Sequence, residues 1–510
     1  MKKFLLGCLV LTALAAAALP PLLEKQVEDL TLAGLKTWDS PKPAAADAVR
    51  CSFWQRSLTL ENLTFAQASA QGMLEHRIAT LTVQAPLSLL WDAALLWAGQ
   101  SPQPRITVAE TFRIDTLTST GPRMKTRCAR GHGSGIAVDS TLLRQLMQGA
   151  QPQESAQPWK NLSLSETVLE DITVDTFLTD EDAAKAGKTP DMTLTAARYQ
   201  LRGWDGAVLD TLRMENCAAF GEGQRLMSVQ ATQYKGLKAP SDDLYVRALR
   251  LHDNSPEEEV LAFCKDFFLQ PTPFLDSFSV EGLRVEEPLL PLTVERIAFD
   301  WRATTPWDST FSLRGLSLPA SVPAAAWHLR LPQLDKVEGS LELTVTGLGG
   351  DTFREKLSLA FPALADMDGD VMQTWSGTLN AEPTMAALMG LTLNDAKLRV
   401  TDHGLLAYAA GNLTAGRPEA LPVLLRQLHA TLRDLGNSGE ATELTDNLLK
   451  FIQNSGTLHI ALRKKPLGML DIITHADNPA ALVKTTVTSG SAPLESQLRA
   501  LFATAPAAKE

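Results

Sequence analysis

The stretch Ser57-Leu58-Thr59-Leu60-Glu61-Asn62-Leu63-Thr64-Phe65 decides how this chain is read. Its apolar residues step by two, then three, then two. Period two puts Leu58 and Leu60 on one face of a strand. Leu63 and Phe65 stay on that face only if Glu61-Asn62 forms a bulge or a tight two-residue turn. The same stepping returns at Phe278/Val280/Leu283/Val285, Phe311/Leu313/Leu316/Leu318 and Leu391/Leu393/Ala396/Leu398, with looser copies at Leu244–Leu251 and Leu292–Phe299. Working outward, the repeated pattern predicts a protein built from many strands that are apolar on one face.

Bulk properties narrow the class. At 510 residues the chain is long enough for about three ordinary domains. Apolar residues make up 45% and charged residues 21%, an ordinary globular balance that excludes a disordered chain and a polytopic membrane protein. A net charge of −11 argues against binding to nucleic acid or to an anionic membrane surface through basic patches.

Location is written in the first residues. Lys2-Lys3 precede an apolar run from Phe4 to Leu23, so the rest of the chain is expected to be exported. Two readings stand. The length of the run favours a retained inner-membrane anchor over residues 1–23. Ala16-Ala17-Ala18 offers the small residues of a signal-peptide cleavage site, which would leave a soluble periplasmic protein. Beyond the leader, Cys51, Cys128, Cys217 and Cys264 have three pairings open to them, against a reading in which all four are buried thiols. They form no C-x-x-C spacing, so neither a zinc knuckle nor a redox dithiol is indicated.

Along the chain, residues 24–48 read as a helix and linker, 49–410 as a β-rich body and 411–510 as an α-rich end. Leu87 to Trp97, after Pro86, is a short helix apolar almost all round, expected against a sheet or, as the second choice, against lipid. Gly121 to Gly135 reads as a glycine-punctuated connection, and Glu257 to Phe268 as a helix. After Pro418, Leu421, Leu424, Leu425, Leu428, Leu432 and Leu435 make a helical stripe. A second helix, Glu440 to Gln453, carries Leu444, Leu448 and Phe451, and the pair is expected to cap the end of the sheet.

No reaction is announced. Asp182 to Thr189 ends like a phosphate loop but lacks its first glycine. Asp366-Met367-Asp368-Gly369-Asp370 opens like a calcium loop but has no glycine at position six and Ser376 at position twelve, so it reads as an acid-rich turn. The eight histidines have no metal spacing, and Asp402-His403-Gly404-Leu405 reads as a turn. No catalytic residue, cofactor or metal is assigned.

The Lys-Lys-apolar leader and the strand Leu58–Phe65 lead into Ile78-Ala79-Thr80-Leu81-Thr82-Val83-Gln84-Ala85-Pro86-Leu87-Ser88-Leu89-Leu90-Trp91, followed by Ile106-Thr107-Val108. Together these resemble the N-terminal part of bacterial AsmA-like envelope proteins. The resemblance covers about the first quarter of the chain. It implies a single inner-membrane anchor, a β-rich periplasmic body, and an apolar groove serving lipid movement or envelope homeostasis, with phospholipid or another envelope protein as partner.

The expected architecture is thus α+β and mainly antiparallel. A long curved or groove-like sheet carries an N-terminal anchor helix and a C-terminal helical cap. Leu58, Leu60, Leu63, Phe65, Leu90, Trp91, Phe278, Val280, Phe311 and Leu313 are the candidate groove residues. The expected function is non-enzymatic lipid contact or transport. A ligand-free scaffold with a packed core, and less so an exported hydrolase, are the alternatives.

Overall fold

A computed structural model describes residues 23–36, 42–69, 72–100, 103–147, 158–179, 188–239, 256, 274–287, 291–302, 307–322, 331–349, 351–375, 390–433, 439–475, 478–490 and 492–502. The leader before residue 23, the Asp182 loop, the strand at Leu244–Leu251, the helix at Glu257–Phe268, Cys264 and Leu435 lie outside the described residues, wholly or for the most part. The chain divides into two compact units, Met1–Phe278 and Ser279–Glu510.

Unit 1 is an antiparallel meander. Strands β1 (Ala48–Ser52), β2 (Ser57–Ser69), β3 (Gly72–Gln84), β4 (Arg105–Thr120), β5 (Met124–Asp139), β6 (Leu162–Thr176), β7 (Met192–Trp204), β8 (Val208–Gly221) and β9 (Gln224–Lys238) each pair with the next. Helix α1 (residues 23–36) lies over the first strands. Its Leu32 and Leu35 pack on Leu58, Leu60, Leu63, Phe65, Ile78, Leu81, Ile114 and Leu117. All four apolar residues of the deciding stretch therefore share one face.

Neither a bulge nor a turn achieves this. The ladder keeps its register on both sides, Glu61 facing Thr80 and Leu63 facing Ile78. Between them Asn62 takes a left-handed conformation, φ 51°. One such residue reverses the alternation without breaking the pairing. Thr116, Asp171 and Asn216 do the same on β4, β6 and β8, with φ of 52°, 55° and 50°. Each follows an acid and lies between two residues of the apolar face: Leu60-Glu61-Asn62-Leu63, Ile114-Asp115-Thr116-Leu117, Leu169-Glu170-Asp171-Ile172 and Met214-Glu215-Asn216-Cys217. The registers align them into a crease that crosses the sheet from β2 to β9. A second crease runs six positions away, through Glu110 facing Gly135, Ser165 facing Gly203, and Asp210 facing Gly236. Here the left-handed residues, Gly135, Gly203 and Gly236, sit on the odd strands β5, β7 and β9. Glycine is required at Gly203 twice over: φ is 70°, and a Cβ would lie 2.0 Å from Asp210 Oδ2.

Gly121 to Gly135 is not a connection. Most of it is strand β5, and glycine is used there for room: a Cβ on Gly133 would meet the Phe112 ring at 2.4 Å. Of the expected short helix, Leu89–Trp97 forms (α2); it packs on β4 and on α3 (Ser140–Met147).

Unit 2 holds β10 (Ser277–Val285, whose first two residues close unit 1), β11 (Leu292–Arg302), β12 (Asp308–Pro319), β13 (Lys336–Gly349), β14 (Thr352–Phe361), β15 (Ala365–Trp375) and β16 (Leu391–Asp402), with β11 to β16 paired in order. The three-residue step at Leu313/Leu316 is a true bulge against β13, and that at Leu393/Ala396 a bulge against β15. Helices α4 (Leu405–Leu413), α5 (Leu421–Arg433) and α6 (Gly439–Asn454) follow. Strands β17 (Gly456–Leu462), β18 (Leu467–Gly468) and β19 (Val483–Ser489) then return to the sheet, with α7 (Met469–Thr474) between and α8 (Leu494–Phe502) last. Because β17 and β18 both pair with β16, the boundary expected near Gly411 does not separate compact units. The α-rich end is threaded through the sheet. α6 packs on β19 and β17, capping that end, while the stripe of α5 (Leu421, Leu424, Leu425) packs on helices, against Ala407, Ala410, Leu494 and Leu498.

Candidate apolar groove

Each unit presents a sheet with two chemically opposite faces. In unit 2 the registers line up Phe299, Phe311, Leu343, Leu357, Gly369, Leu398 and Ile460 across seven strands. Two positions along on the same face runs a parallel row, Leu313, Leu341, Leu359, Met367, Val400 and Leu458. Only Leu458 is fully buried; the others are half-buried, each keeping part of its surface open. Residues Leu343, Leu357, Gly369, Val371, Leu398 and Ile460 line an open cleft of about 380 Å³. Gly369 forms part of its floor: a Cβ there would touch only Leu357 Cβ, at 3.7 Å. The one acid on the cleft, Glu355, accepts a hydrogen bond from Gln373 Nε2 at 2.7 Å.

The opposite face is charged, and the acids of β15 each meet a partner there. Asp366, Asp368 and Asp370 alternate along β15, so the acid-rich stretch is a strand and not a turn. Arg354 donates to both oxygens of Asp370, at 2.8 and 2.6 Å. Arg399 Nε and Ser358 Oγ donate to Asp368 at 3.0 and 2.9 Å, and His403 Nε2 pairs with Asp366 Oδ2 at 2.8 Å. Asp368 and Asp370 are thus each held by an arginine of the protein itself, and Asp366 by the His403 ring. Among the described residues no cluster could hold a metal ion.

In unit 1 the corresponding face carries Leu58, Val83, Phe112, Leu201 and Leu212 in one row and Leu60, Leu81, Ile114, Leu169, Tyr199 and Met214 in the next. Past the strands covered by α1 these side chains are half-buried, and Leu194 and Met227 are 39% and 40% exposed. Burial pushes the Tyr199 phenol and the Cys128 and Cys217 thiols up. Cys128 and Cys217 lie in one row on β5 and β8, roughly 14 Å apart at ordinary strand spacing and out of disulfide reach. Cys51, Cys128 and Cys217 are all free thiols.

The expected groove residues scatter. Leu60 and Leu63 are 5% and 4% exposed, and with Leu58 and Phe65 they form the core beneath α1. Phe311 and Leu313 lie on the apolar face of unit 2, half-buried. Phe278 stacks near Tyr234 at 6.3 Å, and Val280 lies half-buried on β10. Trp91 is 69% exposed on α2, while the Leu90 side chain falls outside the described atoms. The central cleft residues Leu357, Leu398 and Ile460 were missed as a set. Register is what aligns them, although each strand taken alone has the alternation that puts them on the apolar side.

The hydrolase alternative would need a nucleophile. Near His403 the candidate is Ser455, in a polar cleft with Asp402 and Tyr408. Ser455 gives its hydroxyl to Asp402 Oδ2, and Asp402 Oδ1 accepts the Leu406 N–H at 2.9 Å, tying the start of α4 to the end of α6. Among the described residues no hydrogen bond joins Ser455 to His403, which faces Asp366 instead.

A family model described only as "Uncharacterized protein" matches residues 338–492, which run from β13 to β19 and include the strands of the cleft. No curated protein matches the chain.

Proposed function

We propose that this is a non-enzymatic protein of the bacterial envelope, held in the inner membrane by residues 1–23, whose apolar sheet faces receive lipid acyl chains in the periplasm. The observation that carries the reading is the open cleft on the half-buried apolar face of unit 2, backed by a face where Asp368 and Asp370 are paired with arginines. A monomeric soluble protein rarely leaves a contiguous apolar surface open without a use for it. Each methylene laid on such a face contributes about 0.8 kcal/mol, so binding without a polar anchor needs most of an acyl chain laid along the rows. The resemblance of the first quarter to AsmA-like envelope proteins supports the same use.

Photo-crosslinking tests it. A diazirine side chain at Leu357 or Leu398 in the full chain, expressed in bacterial cells, should give phospholipid adducts detectable by mass spectrometry. The same label at Lys356 or Arg399, on the charged face, should give none. Equal labelling of both faces, or none on either, would favour the ligand-free scaffold.

A further inference from the structure

We propose that the end of unit 1 formed by the β1–β2 turn and α2 sits on the bilayer interface through Phe53, Trp54, Leu87 and Trp91. Trp54 is 75% exposed, Leu87 79%, Trp91 69% and Phe53 38%. The meander puts these residues at one end of the sheet. The β1–β2 turn lies where β2 begins, and β3 ends beside it, Gln84 facing Ser57 and Ala85 N–H bonding Arg56 O at 2.8 Å. α2 starts five residues after Gln84. Phe53 and Trp54 meet edge to face at 5.7 Å, so they present a rigid aromatic pair.

The occupant is argued from where the apolar leader ends. Among the described residues β1 pairs with β2, and the N–H groups of Cys51 in β1 and of Phe53 just after it are taken by carboxylates of α1. Glu28 Oε1 accepts from Cys51 at 2.8 Å and Glu24 Oε1 from Phe53 at 2.7 Å. This clamp fixes residue 24, and with it the end of the run Phe4–Leu23, beside the Phe53–Trp54 turn. Whatever that run enters is brought to the exposed aromatics. Trp and Phe are the side chains that gain most from the boundary between headgroups and acyl chains. A protein partner would explain the aromatics but not their position at the point where a 20-residue apolar segment emerges.

This inference rests on the anchored reading of the leader and is independent of the groove. The leader contains no tryptophan, so the full chain can be tested directly. Reconstituted into phosphatidylethanolamine/phosphatidylglycerol vesicles with brominated acyl chains, it should sediment with the vesicles and show quenched tryptophan emission. The Trp54→Ala/Trp91→Ala double variant should sediment equally, melt at the same temperature, and lose most of the quenching. A double variant quenched like the parent, or a parent that sediments unquenched, overturns the docking while leaving the anchor. A parent that does not sediment overturns both. Neither outcome touches the lipid adducts at Leu357.

Discussion

Arg354 and Asp370 face each other diagonally across β14 and β15 in a two-pronged ion pair, Nε to Oδ1 at 2.8 Å and Nη2 to Oδ2 at 2.6 Å. They lie behind Leu357 and Gly369, so the pairing that braces the charged face stands directly behind the apolar cleft. The hydrogen bond from Arg354 holds the Asp370 carboxyl below the usual range, outweighing desolvation. A carboxyl so lowered contributes stability that is complete above its unfolded value, near 3.8, and is lost as pH falls through the lower folded one. Thermal melts of the parent should therefore drop more steeply below about pH 4 than those of Asp370→Asn. Parallel pH profiles would show that the pair adds nothing.

Two glycines on the apolar faces should behave oppositely. Gly369 opens onto the cleft, so Gly369→Phe should fold and melt like the parent while filling the floor and suppressing lipid adducts at Leu398. Gly133 lies under the Phe112 ring, and a Cβ on it would come within 2.4 Å of both that ring and Glu166 O. Gly133→Ala should cost about 1–3 kcal/mol, read as a lower denaturation midpoint. The contrast fails if Gly369→Phe is the destabilised one.

The crease makes a backbone prediction. Asn62 is left-handed, and its side chain exchanges hydrogen bonds with Asp47 and Arg77 at 2.9 and 3.0 Å, both exposed. Asn62→Gly keeps the conformation and should change stability little. Asn62→Val forces a branched side chain into it and should cost about 1–3 kcal/mol. Equal denaturant midpoints for the two variants would mean the crease is not imposed at this residue.

The helical cap depends on Leu498, which is 0% exposed between α4 and α5. Leu498→Ala should cost about 2–5 kcal/mol. The loss should appear in hydrogen exchange of α4 and α5 before it appears in β2–β9. Uniform loss of protection across the chain would show that the cap does not unfold locally.

Much of this was legible from alternation. The deciding stretch named its face correctly, and the three-residue step marked a left-handed residue at Asn62 and Gly282 and a bulge on β12 and β16, while its looser copy on β11 shows neither. What alternation could not give was the device. A left-handed Asn62 and a bulge at Leu313/Leu316 produce the same spacing, and only pairing register separates them. Turn chemistry misled twice. Glycines in β5 and acids in β15 look like loop residues, yet the first make room for Phe112 and the second meet Arg354 and Arg399. β19 was missed because its threonines carry little hydrophobic signal, though Thr485 is 2% exposed beneath Asn447. Leu58, Leu60, Leu63 and Phe65 lie beneath α1 and line no open groove, because nothing local in the strand sequence says which part of an apolar face a helix will cover.

The two creases of unit 1 carry a rule of growth. The left-handed residue falls on even strands at one crease and on odd strands at the other, so the smallest piece that can be copied without disturbing either is a hairpin. Inserting two strands extends both lines in step; inserting one would set left-handed residues against each other and reverse the faces beyond. A lineage that lengthened or shortened this body would therefore do so by whole hairpins, each bringing its own acid-polar pair between two apolar residues. The length of the apolar surface would change in steps of about 10 Å, twice the spacing between strands.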